Sequence, residues 1–233
     1  MNLCVIPARG GSKRIPRKNI RDFCGKPMIA WSIQAAKHSG LFEHIIVSTD
    51  DQEIAATAEQ FGGEVPFMRP TELADDLTAT QPVIKHALQE AQSRWGTIDY
   101  VCCVYATAPF IRVRDLQAAY NQLVSSDADY AFSVTSYPYP IQRALKMTAN
   151  GGVTMFQPEY LQSRSQDLEK SFHDAGQFYW GRARAWLMEV GLFTARAIPI
   201  ILPRHLVQDI DDSEDWERAE WMFKAMNLEQ VIG

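Results

Sequence analysis

One stretch constrains this chain more than any other: Leu3 to Ile20, LCVIPARGGSKRIPRKNI, where an apolar run meets a cationic glycine loop. Leu3-Cys4-Val5-Ile6 is short, branched and ends at Pro7, which predicts a strand buried on both faces. Gly10 and Gly11 allow a tight turn and close backbone approach to a ligand, and Arg9, Lys13, Arg14, Arg17 and Lys18 crowd five cations into ten residues. That combination suits a polyphosphate, because freed amide N–H groups cradle oxygens, arginine offers two-point contacts and lysine a mobile charge. The loop also follows the first strand, where α/β proteins place phosphate loops. A solvated turn with a basic face is the plainer alternative. Neither a Walker A loop nor G-x-G-x-x-G is present, so the loop is of another kind.

Pro7-Ala8-Arg9-Gly10-Gly11-Ser12-Lys13, followed by Ile15-Pro16-Arg17-Lys18-Asn19, resembles the signature of the CMP-sialic acid synthetase family, cytidylyltransferases that activate nonulosonic acids. Within it the chain is most similar to the pseudaminic acid branch. The resemblance implies CTP as co-substrate, with Ala8, Arg9, Gly10, Gly11, Ser12, Lys18 and Asn19 around it, Asn19 seating the cytidine.

With 233 residues and 46% apolar composition, the chain can bury about 70–75% of its unfolded surface, so one domain over 1–233 is expected. A net charge of −5, with the basic residues concentrated at Arg9–Lys18, argues against a nucleic-acid partner. No apolar stretch approaches a membrane span, and the amino end has a strand where a signal peptide would have its apolar segment, so a cytoplasmic protein without membrane partners is expected. Cys4, Cys24, Cys102 and Cys103 show no metal-ligand or disulfide spacing and read as reduced thiols.

Strands and helices then alternate. Met28–His38 is a helix stopped by Gly40, His44–Ser48 a second buried strand, and Thr49-Asp50-Asp51 caps a helix ending at Gly62-Gly63. Asp50 and Asp51 could instead meet ligand or metal at a strand's carboxyl end, although capping is the favoured reading. This alternation predicts an α/β fold with a mostly parallel, doubly wound sheet. The resemblance makes it Rossmann-like, of the nucleotide-sugar transferase type. Glu64–Phe67 reads as a short edge strand broken by proline. Arg69-Pro70 with Leu73-Ala74 and Asp76 resembles the family's second signature, which implies that Arg69 binds the nucleotide, Asp76 supports the pocket and Thr80 lies nearby.

A helix from Thr80 or Gln81 precedes Asp99–Val104, a mid-sheet strand. The following Tyr105-Ala-Thr-Ala-Pro-Phe resembles the pseudaminic branch and implies Tyr105 at the sugar and Thr107 at the nucleotide. Arg112 and Arg114 could close this loop or lie on the surface. After a helix at Asp115–Val124 and a strand at Tyr130–Val134 the periodicity is lost, and residues 135–177 are expected to form a β-rich excursion. The resemblance implies that this excursion makes a homodimer and lends residues to the neighbouring site. Gln142, Arg143, Lys146, Arg164, Gln166 and His173 lie in it; cations and amides suit an acidic, N-acylated sugar, and Gln142, Arg143, Arg164 and Gln166 are the candidate sugar ligands, His173 reading as surface.

Phe178–Trp180 resumes a strand, Arg182–Met188 a short helix and Ile198–Leu202 a buried run. Next comes Gln208-Asp209-Ile210-Asp211-Asp212-Ser213-Glu214-Asp215. If extended, it points Asp209 and Asp211 the same way, and two carboxylates on one face can hold Mg²⁺ or Mn²⁺ against phosphate oxygens. Asp212–Asp215 read as an acidic cap for a last helix packed through Trp216, Ala219, Trp221-Met222 and Met226. The expected reaction joins CTP to a nonulosonic acid, pseudaminic acid first, giving the CMP-sugar and pyrophosphate, with Arg9, Lys18 and Asp211 catalytic. Legionaminic, N-acetylneuraminic or 3-deoxy-octulosonic acid are alternative sugars, and a non-catalytic nucleotide sensor is the alternative of another class. His38, His44 and His86 read as surface residues, which leaves the general base unassigned.

Overall fold

A computed structural model describes residues 1–226. Six strands form the central sheet: β1 (Asn2–Pro7), β4 (His44–Ser48), β5 (Tyr100–Val104), β6 (Tyr130–Ser136), β9 (Phe172–Arg182) and β10 (Ala197–Leu202), in the order β10-β6-β9-β5-β1-β4. β1 pairs in parallel with β4 and β5, and β10 with β6, whereas β9 runs antiparallel to both its neighbours. The sheet is therefore mostly parallel, as the alternating pattern predicts.

Side chains of β1 alternate between two cores. Cys4 and Ile6 pack with α1 (Met28–Ser39), α2 (Gln52–Gln60) and α4 (Val113–Val124), while Leu3 and Val5 pack with α3 (Thr80–Trp95) and α5 (Ala183–Leu187). Helices thus cover both faces, which is why β1 and β5 are apolar at every central position. A third core joins α6 (Ser213–Met226) to the turn formed by β2 (Asp22–Phe23) and β3 (Lys26–Pro27): Phe23, Trp31, Ile210, Trp216 and Phe223 close on one another. This core fixes the amino-terminal loop against the carboxy-terminal helix.

Several expectations need adjustment. Glu64–Phe67 is not a strand; it makes a single parallel bridge, Glu64 to Ile46, before Pro66 breaks the ladder. β9 begins at Phe172 and not at Phe178, so residues 172–177 of the expected excursion belong to the main sheet. Its polar start hid it. α4 begins at Val113, where Arg112 grips Asp115 through two bonds of 2.6 and 3.0 Å and so braces the helix instead of closing the Tyr105 loop. Trp221 is 67% exposed, and Phe223 takes the packing position because it shares the face of Trp216 and Ala219.

Between β6 and β9 the chain makes three-residue strands β7 (Leu145–Met147) and β8 (Val153–Met155), paired antiparallel and apart from the main sheet. Among the described residues no helix is long and apolar enough to cross a membrane.

Candidate active site

The loop after β1 lies at the carboxyl ends of β1, β4 and β5, where an open parallel sheet leaves a crevice. A cleft of about 340 Å³ opens there, lined by Arg9, Ser12, Lys13, Arg14, Lys18, Asn19, Arg69, Thr78, Thr80, Tyr105, Thr107 and Asp211, among others. Four of the loop's five cations face it. Arg17 turns away: its guanidinium holds Asp51 at 2.5 and 3.0 Å and also bonds Glu53, from a backbone at φ +55°. It is a strut that ties the loop to the start of α2. Asp51 caps that helix by accepting from the N–H groups of Glu53 and Ile54, and the Arg17 bond holds its carboxyl down to about 2.

The glycines differ in their reasons. A Cβ on Gly10 would sit 2.8 Å from Asp51 Oδ2, so only glycine fits, and its N–H donates to Asp50 Oδ1 at 2.9 Å. Gly11 faces open space. Neither glycine lines the cleft, nor does Ala8, which is buried and bonds the Ser48 carbonyl. These three shape the loop from behind.

Carboxylates answer the cations. Asp76 pairs with both Arg9 and Lys13, whose hydrogen bonds lower its pKa. Asp211 lies 2.7 Å from Arg14 and 3.9 Å from Lys18, and Lys18 Nζ donates to the Ile210 carbonyl at 2.6 Å. Burial lowers the Lys18 pKa, and the charges of Asp211 and Asp209 partly restore it. The two ends of the chain therefore meet at one cleft.

Residues 207–211 lie outside any helix or ladder, and Ile210 is fully buried between the two more exposed aspartates. Asp209 stands beside the cleft instead of lining it, and its carboxyl is raised above the usual range by desolvation and by the charge of Asp211. Asp212 caps α6, and Asp215 accepts from the Asp211 N–H at 3.1 Å, so the acidic cap also positions Asp211.

Asn19 and Arg69 are each only 6% exposed. Asn19 donates to the Arg9 carbonyl at 3.0 Å and holds the loop closed. Arg69 bonds Ser48 through Nε at 3.0 Å, and burial lowers its guanidinium to about 10. It is a buried cation at the cleft floor, still charged at neutral pH.

The excursion residues sit elsewhere. Gln142 bonds the Glu169 carbonyl, Arg143 reaches Ser165 Oγ at 3.5 Å, and Arg164 pairs with Asp167 on the surface. None of Gln142, Arg143, Arg164 and Gln166 lines the cleft of its own chain. His44 stacks on Trp95 and His86 lies edge-on to Phe67, both away from the cleft. Reasoning from sequence passed over Arg14 and Thr78. Arg14 was visible as one of five cations; no local signal singles out Thr78.

The chain matches the family model described as cytidylyltransferase over residues 3–229. It is 46% identical to a pseudaminic acid cytidylyltransferase of Campylobacter jejuni over 224 residues, 96% of this chain and 97% of that protein. It is 34% identical, over 89% of its own length, to a Helicobacter pylori protein named pseudaminic acid cytidylyltransferase and UDP-2,4-diacetamido-2,4,6-trideoxy-beta-L-altropyranose hydrolase, of which the match covers 40%. The solved structure of CMP:2-keto-3-deoxy-manno-octonic acid synthetase superposes with a TM-score of 0.71 at 16% identity, covering 97% of this chain and 99% of that one, a likeness of fold. A phosphate-suited loop and an acidic pair at one crevice are thus set in a chain that belongs, over nearly its whole length, to the cytidylyltransferase family of nucleotidyltransferases.

Proposed function

We propose that the protein transfers the cytidylyl group of CTP to a nonulosonic acid, with pseudaminic acid as the first choice, and releases pyrophosphate. The observation that carries this reading is the meeting of Lys18 and Arg14 with Asp211 at the rim of one cleft. The name of the Campylobacter jejuni relatives supports the choice of sugar.

In the reaction the anomeric hydroxyl oxygen of the sugar acid bonds to the α-phosphorus of CTP and gives its proton to solvent, while the bond from that phosphorus to the β-phosphate's bridging oxygen breaks and pyrophosphate leaves. Arg9, Lys13 and Lys18 hold the triphosphate and neutralise charge that gathers on the departing pyrophosphate. Asn19 holds the loop closed through the Arg9 carbonyl, and Arg69 places a buried positive charge at the cleft floor.

Asp209 and Asp211 fit a hard divalent cation in this reading: both are oxygen donors and they flank one buried residue. Among the described residues no three His, Cys, Asp or Glu side chains gather, so Asp209 and Asp211 are the residues that would hold such an ion. Bound Mg²⁺ or Mn²⁺ supplies Lewis-acid charge to phosphate oxygens.

The excursion exposes Tyr139, Leu145, Met147, Val153, Phe156 and Leu161, an apolar set that a second copy of the chain covers in this reading. Arg164 and Gln166 then reach the partner's sugar site, which accounts for their distance from their own cleft. Light scattering tests it: a monomer at micromolar concentration would refute the shared site.

The deciding assay is pyrophosphate release from CTP, and separately UTP, with pseudaminic, legionaminic, N-acetylneuraminic and 3-deoxy-octulosonic acids. Turnover with CTP and pseudaminic acid is expected. Equal turnover with UTP would refute the base assignment, activity on another sugar alone the sugar assignment, and CTP binding without pyrophosphate the enzyme itself.

A further inference from the structure

The peptide unit that joins Ile210 to Asp211 is held at both of its poles. Its carbonyl accepts from Lys18 Nζ at 2.6 Å, and its N–H donates to Asp215 Oδ2 at 3.1 Å. The next unit along is held by the same oxygen, because the Asp212 N–H donates to Asp215 Oδ2 at 3.2 Å. Gln208 Nε2 donates both to Asp215 Oδ1 at 3.1 Å and to the Asp209 carbonyl at 2.7 Å. The Ile210 side chain meanwhile packs with Phe23 and Trp216 in the third core.

A helix start explains only part of this arrangement. Asp212 and Asp215 form a capping box: Asp212 Oδ1 accepts from the Asp215 N–H at 3.0 Å, and Asp215 reaches back to the Asp212 N–H. That reciprocal pair asks nothing of Asp211 or Gln208, yet Asp215 engages both. Peptide units are planar, so a residue has only φ and ψ between the two planes that flank it. Both planes flanking Asp211 have their N–H groups on one oxygen of Asp215. Its φ and ψ are therefore set, and with them the direction in which its carboxylate leaves the backbone, towards Arg14 at 2.7 Å and Lys18 at 3.9 Å.

Resting on the transferase reading above, we infer that Asp215 is a positioning residue for the reaction: through the two peptide planes beside Asp211 it holds that carboxylate facing Arg14, Lys18 and the divalent cation. Gln208 completes the clamp by fastening the other oxygen of Asp215 to the backbone at Asp209. Without the clamp, the cost of ordering Asp211 falls on cation binding and on the transition state. The role belongs to an acceptor more than to a charge, since three N–H donors converge on the carboxylate. An asparagine oxygen can still take the two backbone N–H groups.

Asp215→Ala, Asp215→Asn and Asp212→Ala separate this role from helix capping. Three quantities are read: pyrophosphate release from CTP with pseudaminic acid, the ratio of CTP affinity with Mn²⁺ to that with EDTA by titration calorimetry, and the unfolding temperature. Asp215→Ala is expected to lose about tenfold or more both in kcat and in the affinity ratio, with the pseudaminic acid KM little changed. Asp215→Asn recovers most of each loss. Asp212→Ala unfolds at a lower temperature but keeps kcat and the ratio close to those of the unaltered protein. Equal losses in Asp215→Ala and Asp212→Ala, or an unchanged affinity ratio in Asp215→Ala, overturn the proposal and leave Asp215 a helix cap. Asp215→Asn as impaired as Asp215→Ala overturns it too, because charge and not hydrogen bonding would then decide. If the unaltered protein turns over no sugar acid, the transferase reading fails, and the affinity ratio alone still decides whether Asp215 positions Asp211.

Discussion

Lys18 Nζ stands 3.9 Å from Asp211 Oδ1 although 193 positions separate them, and it is held there by its 2.6 Å bond to the Ile210 carbonyl. That bond places the loop cation and the acidic pair on a common backbone reference. Ile210 is buried beside Phe23 and Trp216, so the third core sets the distance between the two halves of the site.

Asp211→Ala is expected to lower kcat by at least about 100-fold, because in the proposed reading it removes a carboxylate that would hold the cation, together with the partner of Arg14 and Lys18. EDTA should reproduce the loss in the unaltered protein and Mg²⁺ should reverse it. Pyrophosphate release and CTP titration calorimetry read the two effects, and full turnover by Asp211→Ala would contradict the assignment.

Lys18→Met separates stability from activity. Burial lowers the Lys18 pKa, so the folded state disfavours the charged amine that neutral pH imposes. The variant should therefore unfold at a somewhat higher temperature while losing on the order of 100-fold in kcat. The Lys18 destabilisation is present below its unfolded pKa and fades as pH rises through the window between the lowered folded value and that one. A lower unfolding temperature at neutral pH would count against this account.

Asp51→Asn keeps a competent helix cap but loses the charge that Arg17 holds. The folded pKa of about 2 lies below the usual 3.8, so this contribution is full above the unfolded value and disappears as pH falls through about 2. Urea denaturation should show the variant less stable at neutral pH, with the gap closing in acid. A gap independent of pH would mean that shape and not charge decides.

Gly10→Ala and Gly11→Ala form a matched pair. The first drives a methyl group into Asp51 and is expected to cost about 1–3 kcal/mol and to weaken CTP binding; the second meets no protein atom within 4 Å and should fold normally. Equal melting temperatures for the two would show that the loop relaxes around Gly10.

Features fixed by neighbouring residues could be read before folding. β1, the Gly40 stop, the Asp51 and Asp212 caps and the alternation that separates Asp209 from Asp211 all depend on short-range geometry. Partnerships across the chain could not. Nothing near Arg17 says that it turns to Asp51 while Arg14 turns to Asp211, and nothing near Arg69 says that it is buried on Ser48. The β9 bulge was missed for a related reason: His173-Asp174-Ala175-Gly176 breaks the apolar alternation, and only the pairing with β6 shows that the strand has already begun.

The carboxylates seated on the loop have a further consequence. Asp76 on Arg9 and Lys13, and Asp211 on Arg14 and Lys18, give these cations built-in counterions. An arriving anion must therefore evict a tenant, and binding strength is the difference between two sets of ion pairs. Chloride or acetate gains little from that exchange. A triphosphate carries enough charge to satisfy several of these cations at once, so the exchange favours polyphosphates over single-charge anions.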